Sequence, residues 1–181
     1  MKSYDYAHRF GVRQISWDDF GTLARHLAEL LEPFQPQGIL GVARAGLFPA
    51  TAVACSLRRE LFPVRLTRRL NDVVIHDQPV WKVPVPKDVA GMKIAIVDEI
   101  ADTGQTLAMV AESARALGAV QVVTASLVSH TWADPAPQVS ALVSDEFIIF
   151  PWDRQVLVDG KWLPHPEILS GLNAQAGSFQ G

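Results

Sequence analysis

Apolar residues along this chain fall into short runs, separated by stretches of helical period and by turn-forming residues. Leu23, Leu27, Leu30 and Leu31 recur at helical spacing behind Ser16-Trp17-Asp18-Asp19, a hydroxyl N-cap with a carboxylate three residues later. Pro33 and Pro36 end that run. Gly38-Ile39-Leu40-Gly41-Val42-Ala43 then reads as a short buried strand, followed by a small-residue helix from about Leu47 to Leu57. Phe62 to Thr67 predicts a second strand, and Lys93-Ile94-Ala95-Ile96-Val97 a third, rich in β-branched residues. Leu107 to Leu117 is helical in pattern and closes on Gly118, a C-cap residue. Val120 to Val128 and Phe147 to Phe150 complete the strands.

Strands that alternate with helices and are apolar on both faces predict an α/β fold with a mainly parallel sheet flanked by helices. Residues 68–90 fit the alternation poorly. They hold Arg68, Arg69, Asn71, Asp72, Pro79, Pro84 and Pro86, and predict a mobile loop leading to a hairpin. No repeat, low-complexity tract or linker divides residues 1–181, so a single domain is expected. Beyond Pro166 the pattern is uninformative, and the tail is expected to fray.

Composition narrows the class. At 181 residues, 49% hydrophobic and 19% charged, the chain is long and apolar enough for a globular core. A net charge of -3 argues against general nucleic-acid binding but leaves room for one phosphate site. Cys55 is the single cysteine, so no intramolecular disulfide can form and a reducing compartment is expected. It lies in an apolar helical run and is expected to serve packing there, as are Trp132 and Trp162. The polar N-terminus (residues 1–13) lacks a signal-peptide core, and no apolar run approaches the roughly 20 residues of a membrane span. A soluble, cytoplasmic protein is therefore expected. His8, His26, His76 and His165 show no ligand spacing, so no zinc site is predicted.

Chemistry concentrates in Ile94-Ala95-Ile96-Val97-Asp98-Glu99-Ile100-Ala101-Asp102-Thr103-Gly104-Gln105-Thr106-Leu107. An apolar strand meets two adjacent carboxylates and runs through a small polar loop straight into a helix. Ligands of open α/β sheets sit at the carboxyl ends of strands, where this loop falls. Its amides, its glycine, its hydroxyls and the helix start are the parts of a phosphate cradle. No lysine follows at Walker spacing. Acids beside a phosphate make sense where they hold sugar hydroxyls or a bridging metal ion. Read alone, Asp-Thr-Gly would equally suit a solvated turn that caps a helix.

The segment resembles the PRPP (5-phosphoribosyl-1-diphosphate) signature of type I phosphoribosyltransferases: apolar strand, two acids, three residues, then Thr-Gly-x-Thr. Val42-Ala43-Arg44-Ala45-Gly46-Leu47 resembles the family's pyrophosphate loop, and residues 68–80 stand where the family keeps a mobile active-site loop. Phe147-Ile148-Ile149-Phe150-Pro151-Trp152-Asp153 is similar to the base-binding hood of the bacterial xanthine-guanine branch. The resemblance spans about residues 16–155, with 156–181 as a C-terminal extension. It implies a Mg²⁺-dependent transfer of the phosphoribosyl group from PRPP to a nitrogenous base, a 6-oxopurine by the nearest likeness, with release of pyrophosphate. It further implies that Asp98 and Glu99 hold the ribose hydroxyls and the Mg²⁺ shell, and that Ala101, Asp102, Thr103, Gly104, Gln105 and Thr106 wrap the 5-phosphate. Asp102 would shuttle the base proton, Arg44 and Ala45 would meet the pyrophosphate, and Arg68 or Arg69 could assist. Phe147 would stack on the base, with Ile148 and Asp153 at its far edge. Relatives of this kind usually form homodimers or homotetramers.

The chain departs from that pattern at Glu99 for a second aspartate, Ala45 for a glycine and Gln105 for a small residue. Val128 falls near the lysine that reads the purine 6-oxo group in relatives, so Ser129 or His130 would have to supply a donor. Two alternatives follow: the same transfer to a different base, or a regulator that senses PRPP or nucleotides without turnover. The acidic pair, Asp102 and Arg44 favour catalysis, and the lack of a basic surplus disfavours RNA binding.

Overall fold

The computed structural model describes residues 9, 11–67, 69–70, 73–74 and 79–178. In chain order the elements are β1 (Val12–Gln14), α1 (Trp17–Leu31), β2 (Gly38–Val42), α2 (Leu47–Leu57), β3 (Glu60–Thr67), β4 (Arg69–Leu70), β5 (Val73–Val74), β6 (Val80–Val83), β7 (Lys93–Ala101), α3 (Gln105–Ala116), β8 (Gln121–Ser129), β9 (Val139–Val143), β10 (Phe147–Ile149), β11 (Gln155–Val158), β12 (Lys161–Pro164) and α4 (Pro166–Ser178). Single 3-10 turns occupy Glu32–Phe34, Lys87–Val89 and Pro151–Asp153. The chain forms two compact units, residues 22–144 and residues up to 21 together with those from 145 on.

Helix α1 starts where the sequence predicts. The Asp19 amide donates to Ser16 Oγ at 3.1 Å, while the Ser16 amide and hydroxyl donate to the Asp19 carboxylate at 3.0 and 2.6 Å. Each group thus satisfies the other's orphan donor, and the hydrogen bonds from Ser16 hold the Asp19 carboxyl below its ordinary pKa. Ala24, Leu27, Ala28 and Leu31 form the buried stripe that the leucine spacing foretells.

The larger unit is built on a six-stranded sheet in the order β6-β3-β2-β7-β8-β9. All neighbours run parallel except β6, which returns antiparallel along β3 as the expected hairpin. Of the predicted mobile loop, residues 68, 71, 72 and 75–78 lie outside the described residues; the short strands β4 and β5 pair antiparallel. Ile39, Leu40, Ile94, Ile96, Val97 and Leu127 are wholly buried, as strands covered on both faces require. Helix α2 packs on β2 and β7, and α3 on β7 and β8. A Cβ at Gly41 would lie 2.8 Å from the Ala50 Cβ and 2.9 Å from Leu47 Cδ2, so its absence sets how closely α2 approaches. Helix α3 ends in a Schellman motif: Gly118 has φ 94°, its amide donates to the Arg115 carbonyl at 2.9 Å, and Ala119 donates to Ala114 at 3.1 Å.

Strand β7 outruns its prediction, which ends at Val97. It continues to Ala101 because β8 keeps pairing with it, through Asp98 with Ser126, Ile100 with Val128 and Ala101 with Ser129. The two acids are therefore strand residues and not turn residues.

In the smaller unit β1 pairs parallel with β10, Val12 opposite Phe147 through Gln14 opposite Ile149. Trp17, Phe20, Phe150 and Trp152 form an aromatic cluster with ring centroids 4.9 to 6.0 Å apart. Strands β11 and β12 make a hairpin whose turn, Asp159-Gly160, has positive φ at both residues, as a two-residue turn of this type needs. The expected frayed tail is helix α4 up to Ser178, tied by a 2.7 Å hydrogen bond from Gln175 Nε2 to the Arg9 carbonyl.

Two packing expectations fail. Cys55 is exposed, because Ala50, Val53 and Ala54 form the buried stripe of α2 and residue 55 lies on the other side of the helix. Trp162 is 65% exposed beside Leu157, its cross-strand partner in a hairpin with no third strand.

Candidate active site

Two turns leave the carboxyl ends of the adjacent central strands β2 and β7. From β2 the sheet grows one way to β3 and the other way to β7, so their shared end is a topological switch point, where open α/β sheets form ligand crevices. The first turn, residues 43–46, holds exposed Arg44 and half-buried Ala45. The Ala43–Arg44 peptide is cis. The Ala43 amide donates to the Val64 carbonyl at 2.7 Å, which fastens the turn to β3. Gly46 closes it against the neighbouring strand: a Cβ there would sit 2.5 Å from Asp98 Oδ1.

The acidic pair stands beside this turn. Asp98 is buried and Glu99 half-buried, and the Glu99 amide donates to Asp98 Oδ1 at 2.9 Å. Burial pushes the Asp98 carboxyl above its ordinary pKa. Glu99 is pushed well above its ordinary value, by burial first and by the Asp98 charge second. A cation is the ligand that would relieve two such acids. Hard carboxylate oxygens suit Mg²⁺, which commonly takes one or two protein carboxylates and completes its shell with water and substrate phosphates. Among the described residues no cluster of three or more potential metal ligands exists, so the protein offers two carboxylates and not a closed cage.

The second turn runs from Ala101 to Thr106. Gly104, at φ 78°, is the N-cap of α3, and no side chain there bonds to the helix start. The helix dipole and the backbone amides at the start of α3 are features that favour an anion. Thr103 is exposed, and Asp102 and Thr106 are half-buried.

The loop after β8 is built onto this turn. The His130 amide donates to the Ala101 carbonyl at 3.1 Å, and Asp134 donates to Thr103 at 3.1 Å. Gln105 Nε2 donates to the Asp134 carbonyl at 3.0 Å. A Cβ on Gly104 would collide with the Pro135 carbonyl oxygen, so this glycine makes room for protein as well as for any ligand. The signal lay in topology: β8 is parallel and adjacent to β7, so the residues after both strands emerge at one end of the sheet.

Within that loop His130 is buried, with Nδ1 2.6 Å from the Ser144 carbonyl and Nε2 3.9 Å from Asp102 Oδ1. Trp132 stacks on it, ring centroids 4.3 Å apart, and donates from Nε1 to Asp102 Oδ1 at 3.3 Å. The expected packing role of Trp132 is therefore half of the picture; its N–H reaches the site. Val128 is wholly buried between Ile100 and Leu142, and Ser129 Oγ bonds to the His130 carbonyl at 3.2 Å.

Of the predicted hood, Phe147 and Ile148 are buried in β10, and the Arg9 guanidinium lies 5.7 Å from the Phe147 ring centroid. Asp153 is half-buried at the end of the 3-10 turn, its amide bonded to the Phe150 carbonyl at 3.1 Å.

Comparison with known proteins agrees with this layout. Residues 16–158 match the phosphoribosyl transferase domain family. The chain is 28% identical to a xanthine-guanine phosphoribosyltransferase of Idiomarina loihiensis, over 78% of this chain and 87% of that one. It is 29% identical to the protein of the same name from Nitratidesulfovibrio vulgaris, over 80% and 86%. Among solved structures, the purine phosphoribosyltransferase of Pyrococcus horikoshii matches with TM-score 0.71 and 28% identity, over 82% of this chain and 98% of that one.

Proposed function

The chain belongs to the phosphoribosyl transferase domain family and is a transferase enzyme, and on that premise we propose that it moves the phosphoribosyl group of PRPP to a purine base, in a Mg²⁺-dependent reaction that favours 6-oxopurines. One observation carries the reading: an acidic pair with Asp98 buried and Glu99 half-buried, a turn that Gly46 lets pack closely against it, and the start of α3 all meet at the carboxyl ends of β2 and β7. The purine acceptor rests on the names of the relatives, and the 6-oxo preference on the xanthine-guanine pair among them.

In this reading the amides and hydroxyls of Ala101 to Thr106 hold the 5-phosphate, and Asp98 and Glu99 face the ribose hydroxyls. Mg²⁺, when bound at those two carboxylates, would offset the charge of the diphosphate. Arg44, with the Ala45 backbone, meets the diphosphate from the first turn. The ring nitrogen of the base donates its lone pair to ribose C1 as the bond from C1 to the diphosphate oxygen breaks. The diphosphate leaves with that electron pair, and Asp102 takes the proton released from the base. The transition state carries an electron-poor ribosyl centre and a departing polyanion, so fixed charges and positioning suffice without covalent help. Phe147, Ile148 and Asp153 are proposed to contact the base. His130, enclosed beneath Trp132, joins that set only indirectly, through Asp102. A homodimer or homotetramer in the cytoplasm completes the proposal.

Pyrophosphate release from PRPP and Mg²⁺, measured against guanine, xanthine, hypoxanthine, adenine, orotate and uracil, tests the reading. Turnover with the 6-oxopurines and not with adenine is expected. Preference for a pyrimidine would overturn the acceptor, and release with none of the six would overturn the transfer to a purine.

A further inference from the structure

Four contacts converge on one carboxylate turn, and their directions are chemically specific. Ser144 contributes a carbonyl oxygen, which can only accept, so the 2.6 Å contact fixes the His130 proton on Nδ1 in the neutral ring. The buried ring then forms a flat platform for Trp132, stacked at 4.3 Å with the ring planes 16° apart. That stack aims indole Nε1–H at Asp102 Oδ1, 3.3 Å away, and places His130 Nε2 3.9 Å from the same oxygen. Backbone bonds from His130 to Ala101 and from Asp134 to Thr103 lock the main chain on either side of Asp102 to the same loop.

We propose that Trp132 and His130 are positioning residues that orient the Asp102 carboxylate for proton transfer, acting through Oδ1, with His130 setting the Trp132 ring and Trp132 holding the acid. The assignment rests on the proposed role of Asp102 and adds two residues to it. Neither residue needs to touch substrate. Their effect is to keep the acid in one orientation, and such positioning matters because small displacements of a reacting group are costly in rate. An indole N–H also acts where a phenyl ring of similar stacking ability cannot, so donor and platform are separable by substitution.

The test is a kinetic double-mutant cycle on the full chain, with thermal melts as a check on folding. Trp132→Phe keeps a ring on His130 and removes the donor; kcat should fall about 10-fold, with the KM for PRPP within twofold, because a hydrogen bond to a charged group is lost. In an Asp102→Asn background the same change should cost less than twofold, since the carboxylate it orients is gone. His130→Asn, which can keep a donor toward Ser144, should retain more activity than His130→Leu, which removes donor and flat platform together. If Asp102→Asn leaves turnover intact, the proton-shuttle reading of Asp102 fails and the positioning role fails with it. If Asp102→Asn is slow but Trp132→Phe is neutral, or costs the same in both backgrounds, the positioning role alone is overturned.

Discussion

The turn from β7 into α3 and the segment around β10 carry the two halves of the proposed chemistry, and they are secured in different ways. The first stands on a central strand with parallel neighbours on both sides, and its backbone is bonded to the loop that follows β8. The second stands on a three-residue strand whose partner, β1, is more than a hundred residues away in the chain. Around it, aromatic side chains and the Arg9 guanidinium add to the bonds of this two-stranded pairing. The proposed phosphate side thus rests mainly on backbone bonds, and the proposed base side on a short strand pairing with side-chain packing around it. Backbone sites of this kind fix geometry, whereas side-chain surfaces can be exchanged to change which base is accepted.

The largest effect that tests this contrast is at Asp102. Asp102→Ala should lower kcat about 10²–10⁴-fold with PRPP binding nearly unchanged, as steady-state kinetics and calorimetric titration would read. A much smaller loss would reduce Asp102 to a loop-shaping residue. Arg44→Ala should weaken PRPP and pyrophosphate together, by roughly 10- to 150-fold, because a charge-assisted contact to the diphosphate is lost in both. Weakening of one and not the other would detach Arg44 from the diphosphate.

Phe147 sharpens the base side. Phe147→Leu keeps an apolar side chain in the buried position and removes the ring, so the base KM should rise roughly 5- to 150-fold while the PRPP KM stays put. A lower melting temperature with both KM values unchanged would make Phe147 a core residue and nothing more.

The smallest effect concerns pH. Glu99 is raised well above its ordinary value of 4.5, so in that window the folded protein holds a proton that the unfolded chain has lost. Stability without PRPP and Mg²⁺ should therefore be fullest below about 4.5 and fall as pH rises through the raised pKa. The slope contributed is at most about 1.4 kcal/mol per pH unit. Glu99→Gln should flatten it in denaturant titrations across pH; an unchanged slope would mean that Glu99 is not the group responsible.

The same contrast explains what the sequence revealed. The sheet strands β2, β3, β7 and β8, the helices α1 to α3 and the Gly118 cap were legible because each is coded locally, by an apolar run, a period or a glycine. The turn from β7 into α3 was legible as a strand-to-helix turn for the same reason. Strand β1 was not, since Val12-Arg13-Gln14 becomes a strand only by pairing with Phe147 to Ile149. Helix α4 was hidden because Leu169 and Leu172 are among its more exposed residues, so it lacks a buried apolar stripe of the usual kind. In the loop after β8 only His130 stood out in the sequence; the contacts of Trp132, Asp134 and Pro135 were hidden because they are made with residues of another turn.

Gly46 sets how near the first turn can stand to the strand that carries Asp98. A Cβ at position 46 would sit 2.5 Å from Asp98 Oδ1, 2.5 Å from the Val42 carbonyl oxygen and 3.0 Å from the Asp98 Cα, so the turn and the strand are spaced for a hydrogen alone. Two of those three atoms are backbone, so a shorter side chain at 98 would not make room, and position 46 requires glycine whatever residue stands at 98. Across descendants of this chain, position 46 should therefore stay glycine even in a lineage that has lost the carboxylate at 98.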